Sequence, residues 1–327
     1  MIISRTPFRM SFAGGGTDLK KYYEEEYGAV ISTTIDKYMY ITVNSLSTFH
    51  NHKIRISYSK TELVNNVAEI KHPVIKEALK LVDIDGGIEI ISMADIPAGT
   101  GMGSSSSFTV GLLNALYAFQ GKSVSPEQLA REACKIEIEL LKEPIGKQDQ
   151  YASAYGGLNY IQFNPDESVF VNPVISSREV KDELSNNLMM FYTGITRRAS
   201  DILTGQTENT KNRKDNLKKM KKIAINIKEI LNEGKHLNRI GEILHQEWLL
   251  KKDIISGISN NLIDEYYNKA LKAGALGGKI LGAGGGGFIL LYASPQKQQK
   301  VRKALRDLKE LSFNFEYQGS TIIYIGG

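Results

Sequence analysis

The chain alternates between β-branched, apolar stretches and stretches whose apolar residues fall at helical spacing. Ile2–Phe12 and Ala29–Val43 predict two long strands, joined by the turn Ala13–Asp18 and a short helix around Leu19–Tyr27. Lys53–Tyr58 predicts a further strand, His72–Val82 a helix, and the short apolar run Ile88–Met93 another strand. From Phe108 to Phe119 apolar residues return at helical spacing. Ser125–Leu141 predicts a helix with a clear start: Ser125 as cap, Pro126 at the first helical position and Gln128 three residues after the cap. Gly157–Phe163 and Leu188–Thr193 predict strands, Asn164–Asp166 a turn, and helices dominate from Lys211 through Gly274. A glycine-rich run, Gly277–Gly287, leads into the strand Phe288–Tyr292, and a helix over Pro295–Leu311 and two strands finish the chain. Composition shifts after the 164–166 turn, which divides the chain into segments 1–175 and 176–327.

With 327 residues, 42% hydrophobic and 24% charged, the chain reads as a soluble globular protein of one large or two moderate domains. A net charge of +5 favours an anionic small molecule without calling for nucleic acid. Lys211–Lys222 does hold six lysines and one arginine in twelve positions, yet no aromatics interleave them. Leu217, Met220, Ile223 and Ile227 keep an apolar face there, so the segment reads as a solvated helix. The single cysteine, Cys134, excludes an intrachain disulfide, lies in a helical pattern as a small buried residue and fits a reducing cytoplasm. No 18 uncharged apolar residues follow one another and the N-terminal run is too short for a signal peptide, so no membrane contact is expected. His50, His52 and His72 show no metal-ligand pattern and read as solvated, and Trp248 reads as core packing. A homodimer is left open.

Pro97–Ser107, PAGTGMGSSSS, changes this neutral picture because it stands between a strand and a helix start. Gly99, Gly101 and Gly103 permit positive φ and leave no Cβ in the way, so backbone N–H groups can converge on one anion. Ser104, Ser105 and Ser106 then open the helix, where unpaired N–H groups favour phosphate and hydroxyls can reach a hydrated Mg²⁺. No lysine follows the glycines, which excludes a Walker A loop. Gly277–Gly287 is no dinucleotide fingerprint either, since a strand follows it rather than a helix.

The spacing P-x-x-x-G-x-G-S-S from Pro97 is similar to the second motif of the GHMP family of small-molecule kinases, named for galactokinase, homoserine, mevalonate and phosphomevalonate kinases. Pro7, Arg9, Gly14, Thr17 and Asp18 resemble the first motif of galactokinases in spacing, but Gly15 and Gly16 stand where those have Glu and His. The loss of an acidic group that would bond an unmodified sugar points to a bulkier or anionic acceptor. Glu137, Pro144, Gly146, Asp149 and Gln150 resemble a further galactokinase pattern, and Gly282, Gly284 and Gly285 belong to a run that resembles the third motif. Met102 for leucine, and Ser106 and Ser107 for alanines, are small departures.

The resemblance covers essentially the whole chain. It implies an α+β, two-domain GHMP kinase fold: an N-terminal domain like ribosomal protein S5 domain 2 and a C-terminal ferredoxin-like α/β sandwich. It also implies ATP on the Pro97–Ser107 loop, Asp149 near the acceptor hydroxyl with Arg9 beside it, and Mg²⁺ on Ser105 and Glu137. Phosphoryl transfer to an alcohol depends on positioning, cations and a proton-accepting carboxylate, which those residue types supply. The runs around Arg9 and Asp149 look most like sugar 1-kinases acting on D-glycero-D-manno-heptose 7-phosphate. Gly15, Gly16, Thr17 and Asp18 are then the acceptor turn, and Arg197 and Arg198, with Lys20 and Lys21 behind them, are candidates for the sugar phosphate. Lys147 stands between a phosphate role and a surface role. A 1-kinase of an unphosphorylated sugar and a catalytically silent ATP- and sugar-binding sensor remain as alternatives.

Overall fold

The computed structural model describes residues 1–196, 210–254 and 257–326. Strand β1 (Ile2–Ala13) and β2 (Gly28–Ser45) form a long antiparallel ribbon, with α1 (Lys20–Tyr23) in the connection between them. β3 (Ile54–Ser57), β4 (Thr61–Val64), α2 (Pro73–Leu81) and β5 (Ile88–Ala94) follow. At 18 residues, β2 is long enough to serve two neighbours in succession: its last part pairs with β5, its first part with a strand much further along the chain. Between these come α3 (Ser104–Phe119), α4 (Pro126–Cys134) and α5 (Gln148–Tyr155), and then β6 (Asn159–Phe163), which is that partner, and β7 (Val169–Pro173).

Among the described residues these strands belong to a nine-stranded sheet, antiparallel except for the β3–β5 pair. Helix α3 lies within the core, with Val110, Leu112, Leu113 and Leu116 wholly buried. Its apolar residues surround the axis because sheet strands and other helices cover it on all sides.

The second half of the chain adds α6 (Arg178–Asn187), β8 (Leu188–Tyr192), α7 (Thr210–Glu233), α8 (Asn238–Ile254) and α9 (Asn261–Ala273). β9 (Gly277–Ile280), β10 (Phe288–Tyr292), α10 (Pro295–Ala304) and β11 (Lys309–Glu310) complete a four-stranded antiparallel sheet in the order β11-β8-β10-β9. The fold is α+β in two domains; one buried cluster runs from the first sheet onto one face of the second, and another fills the second sheet's other face. Trp248 is fully buried against Tyr267, as its core reading anticipated. Cys134 is buried too. No described helix is long and apolar enough to cross a membrane.

Four local expectations need correction. The helix from Pro295 stops at Ala304 rather than Leu311, because Lys309 and Glu310 pair with Tyr192 and Phe191 of β8 and tertiary pairing overrides propensity. The helix from Pro126 turns π-helical over Lys135–Leu140, so Ile136 and the next residue, Glu137, are both buried. The segment after Lys147, for which the apolar pattern predicts no element, is the helix α5. And the last strands, β12 (Phe315–Glu316) and β13 (Thr321–Ile325), return to β2 and β1 in the first sheet, so the division at 175 does not separate the two sheets.

One buried hydroxyl fastens this returning tail. Thr34 Oγ1 donates to the Glu316 carbonyl at 2.7 Å and accepts from the Gly157 N–H at 2.7 Å. Replacing it by valine keeps the shape and removes both bonds. Thr34→Val is expected to lower unfolding free energy by about 1–3 kcal/mol in urea titrations, with Thr34→Ser close to wild type.

Candidate active site

The site begins where β5 gives way to α3. Gly99, Gly101 and Gly103 have φ of +74°, +79° and +73°, and Gly103 caps α3 with no side chain accepting from the first turn. Helices α2, α4, α6 and α9 are instead capped by His72, Ser125, Ser177 and Asn260. The bare N-terminus of α3 therefore keeps its donors for an anion. The loop between β9 and β10 closes onto it: a Cβ on Gly101 would lie 2.4 Å from the Leu281 carbonyl oxygen, and one on Gly282 would lie 2.5 Å from Gly101 Cα. Only glycine at both positions allows backbone to meet backbone this closely. Gly284 lines the cleft, while the Gly285 N–H donates to the Ile258 carbonyl and so serves its own loop.

Arg9 joins this loop to α5. Its Nε and Nη2 donate to the two carboxylate oxygens of Asp149 at 2.7 and 2.8 Å, and its Nη1 donates to the Gly101 carbonyl at 2.5 Å. Asp149 sits in the first turn of α5, and a Cβ on Gly103 would lie 3.3 Å from its Oδ2. The phosphate loop and the carboxylate are thus immediate neighbours. Ser11 Oγ donates to Gln148 Oε1, and Gln148 Nε2 donates to Asp149 Oδ1, which steadies the carboxylate from its other side.

Glu137 reaches the same loop from beneath. Ser105 Oγ donates to its Oε1 at 2.6 Å, and Ser106 Oγ and Gln150 Nε2 donate to Oε2 at 2.8 and 2.6 Å. Burial pushes this carboxyl up from its ordinary value, while the serine and glutamine bonds pull the other way. Ser105 is exposed and Ser106 buried, so of the two only Ser105 presents its hydroxyl freely to the cleft.

On the far side of Asp149 lies the turn after β1. Gly15, Gly16 and Asp18 line the cleft, and a Cβ on Gly15 would meet nothing within 4 Å. Asp18 accepts from the Gly16 and Gln148 N–H groups, and burial raises its carboxyl, with the Asp149 charge adding to the effect. Thr17 departs from its expected place among the acceptor contacts. It is fully buried, and its hydroxyl binds the Gly14 and Ala29 carbonyls and the Ala29 N–H, so it closes the turn. Arg197 and Arg198 lie outside the described residues. Lys20 and Lys147 both pair with Glu167.

The resulting cleft has a volume of about 1140 Å³. Beyond Pro97 its walls are apolar and aromatic, with Met39, Tyr58, Val74, Ile96 and Phe108. His72 is part of this end, packed between Tyr58 and Phe108, with Nδ1 accepting from the Ile75 N–H. It is therefore not the solvated side chain its sequence context suggested, and burial lowers its pKa.

A buried charged group that the sequence reading passed over completes the floor. Glu247 Oε1 accepts from the Gly14 N–H at 3.1 Å and lies 3.6 Å from Lys279 Nζ, which donates to the Phe12 carbonyl at 2.9 Å. One helical turn past Glu247, Lys251 donates to the Gly282 carbonyl. Burial pushes Glu247 up and Lys279 down, each opposed by the other's charge. The signal was present in the periodicity: Ile240, Ile243 and Leu244 define an inward face on which Glu247 and Lys251 continue, charged where apolar residues were due.

The family models for the GHMP kinases N terminal domain and the GHMP kinases C terminal match residues 62–157 and 223–310. A D-glycero-alpha-D-manno-heptose 7-phosphate kinase of Campylobacter jejuni is 30% identical over 322 residues, covering 93% of either chain. The chain belongs to the GHMP kinase family. A solved structure of a D-glycero-D-manno-heptose 1-phosphate kinase from Bacteroides thetaiotaomicron superposes with a TM-score of 0.80 at 27% identity over 100% of both chains. Lactococcus lactis galactokinase, at 18% identity and a TM-score of 0.75 over 98% of this chain and 94% of that one, shares the fold.

The apolar end of the cleft could take a planar base, and the glycine-cradled N–H groups could hold phosphates. The donor set also suits Mg²⁺: an exposed hydroxyl, Ser105, bonded to a carboxylate, Glu137, gives hard oxygen ligands beside the phosphate loop. The contact of Gly101 with the β9–β10 loop yields a prediction. Gly101→Ala, at φ +79° and with no room for a Cβ, is expected to destabilise the fold by about 1–3 kcal/mol or more. Nucleotide affinity should fall at least about tenfold in a fluorescent-ATP titration, while Gly15→Ala, facing open space, should leave both nearly unchanged.

Proposed function

We propose that the chain transfers the γ-phosphoryl group of Mg-ATP to the anomeric C1 hydroxyl of D-glycero-D-manno-heptose 7-phosphate. The observation that carries this reading is the closeness of the phosphate loop to the Arg9-held carboxylate of Asp149, such that a Cβ on Gly103 would lie 3.3 Å from its Oδ2. A hydroxyl placed between them has a proton acceptor on one side and the terminal phosphate on the other. As the new oxygen–phosphorus bond forms, Asp149 takes the hydroxyl proton and the bond to ADP breaks. Arg9, committed to both carboxylate oxygens, fixes the orientation of the acceptor of that proton. The N–H groups of 101–106 would hold phosphate oxygens, and Ser105 and Glu137 would hold Mg²⁺, which would supply charge neutralisation for the phosphates.

A phosphorylated heptose as acceptor is supported by Gly15, which faces open space, and by the absence of an acidic side chain at Gly15 and Gly16, where galactokinases carry Glu and His. It is supported too by the names of two relatives, both heptose phosphate kinases, which differ in where the acceptor's existing phosphate lies. Segment 1–175 would then carry the nucleotide loop and Asp149, and segment 176–327 the glycine loop that abuts them.

The test is ADP release with Mg-ATP across fucose, galactose, heptose and heptose 7-phosphate, with the new phosphate located by phosphorus NMR. Turnover confined to the 7-phosphate with the new group on C1 is expected; activity on a free sugar alone removes the proposed acceptor. Asp149→Asn should retain ATP binding and lose about 10²–10⁴-fold in kcat. Near-normal turnover would remove Asp149 from the mechanism.

A further inference from the structure

The charged groups around the acceptor half of the cleft are not all held in direct ion pairs. From β1, Arg9 is matched by Asp149 of α5; from β9, Lys279 is matched by Glu247 of α8. Asp18, on the turn after β1, accepts from two backbone N–H groups. Arg213 faces the same cleft from α7. Lys251 is the remaining cation in this group. It is partly buried, it lines the cleft, and among the described residues no carboxylate lies within ion-pair distance of it. Its ammonium spends one donor on the Gly282 carbonyl, which keeps it beside the glycine that abuts the phosphate loop. Two further donors are left over.

A half-buried ammonium without a counter-charge is costly unless a ligand supplies one. We infer that Lys251 is a phosphate-binding residue of the cleft, receiving a phosphate oxygen at the junction of the Gly15–Gly16 turn and the β9–β10 glycine loop. The inference deepens the kinase reading above and rests on it only for the source of the phosphate, which is either the acceptor's own or the group in transfer. Burial, and the Lys279 and Arg9 charges, lower the Lys251 pKa to about 7, against the pull of Glu247 and Asp18. Lys251 thus holds its proton weakly near neutrality, and an arriving phosphate would draw it back on.

The experiment uses inorganic phosphate, titrated calorimetrically into the full-length protein saturated with Mg-ADP, so that no sugar is needed and an error in the acceptor leaves the result intact. Wild type is expected to bind phosphate at pH 7 at least about tenfold more tightly than Lys251→Met. Between pH 8 and 9.5, where phosphate is already a dianion, wild-type affinity should fall by about tenfold per pH unit as the lysine loses its proton. Lys251→Arg keeps a permanent cation and a donor for the Gly282 carbonyl, so it should bind phosphate with no such fall; a purely structural role for Lys251 would not flatten a pH profile. Equal affinity in wild type and Lys251→Met, or no phosphate binding by wild type, overturns the inference. With an active sugar in hand, a raised KM for phosphorylated acceptors alone places the acceptor's phosphate on Lys251. An equal drop in kcat for phosphorylated and free sugars places the transferred group there.

Discussion

The Arg9 guanidinium is the constraint on which the rest of the site depends. One side chain bonds both oxygens of Asp149 and the carbonyl of Gly101, while its own backbone N–H donates to Met102. It therefore fixes three elements at once: the strand β1, the first turn of α5 and the phosphate loop. Guanidinium geometry makes this possible, because its donors form a planar fork that matches a carboxylate on one edge and leaves a third donor for a carbonyl. Lysine at this position could neutralise Asp149 but could not hold it and the loop in one plane. Since β1 runs through the first sheet and Arg9 is nearly wholly buried there, the reactive carboxylate inherits the rigidity of the core.

The two halves of the molecule meet through close backbone as well as through side chains. Gly101 and Gly282 touch where neither could carry a Cβ, and the Lys279 ammonium reaches across to the Phe12 carbonyl while Glu247 takes the Gly14 N–H. A buried Lys–Glu pair of this kind contributes little net stability once desolvation is counted. What it does is fix register: it sets the turn after β1, and hence Gly15, Gly16 and Asp18, against the second sheet. The return of β12 and β13 to the first sheet reinforces the same union, because the chain ends where it began and the second domain is tied at both of its ends.

The features legible in the sequence are those where chemistry depends on residue type at a fixed spacing. The strand–glycines–helix sequence around 97–107, the Arg9 and Asp149 positions and the order of the glycine motifs were all readable, and so was the α+β fold they imply. What escaped depends on long-range packing. Nothing in Gln148–Tyr155 marks a helix, since its apolar side is made by Tyr151, Ala152 and Ala154 against neighbours far away in sequence. The π-helical turn that brings Glu137 inward is invisible to a 3.6-residue period, although the resemblance pointed to the residue. Thr17 was misjudged because a hydroxyl beside Asp18 looks available until the Ala29 backbone is found against it. Glu247 and Lys251 broke an apolar helix face, which is a readable anomaly, but their counterparts on β1 and β9 could be known only from the fold.

These buried charges also explain why the site takes the form of an open cleft with an apolar floor at one end and a charged one at the other. Burial raises the carboxyls of Glu137, Asp18 and Glu247 and lowers the ammonium groups of Lys251 and Lys279, so every one of these groups is held away from its most comfortable ionisation. A fold selected for stability alone would replace them with apolar residues. Asp18, Lys251 and Lys279 line the cleft and Glu137 and Glu247 bond to residues beside it, a placement that makes sense if further counter-charges arrive with the ligands: phosphate oxygens for Lys251, a hard cation for Glu137. The same strain that destabilises the empty cleft then favours a bound state in which each buried charge has a partner, so that binding the anionic substrates and organising the catalytic groups become one event.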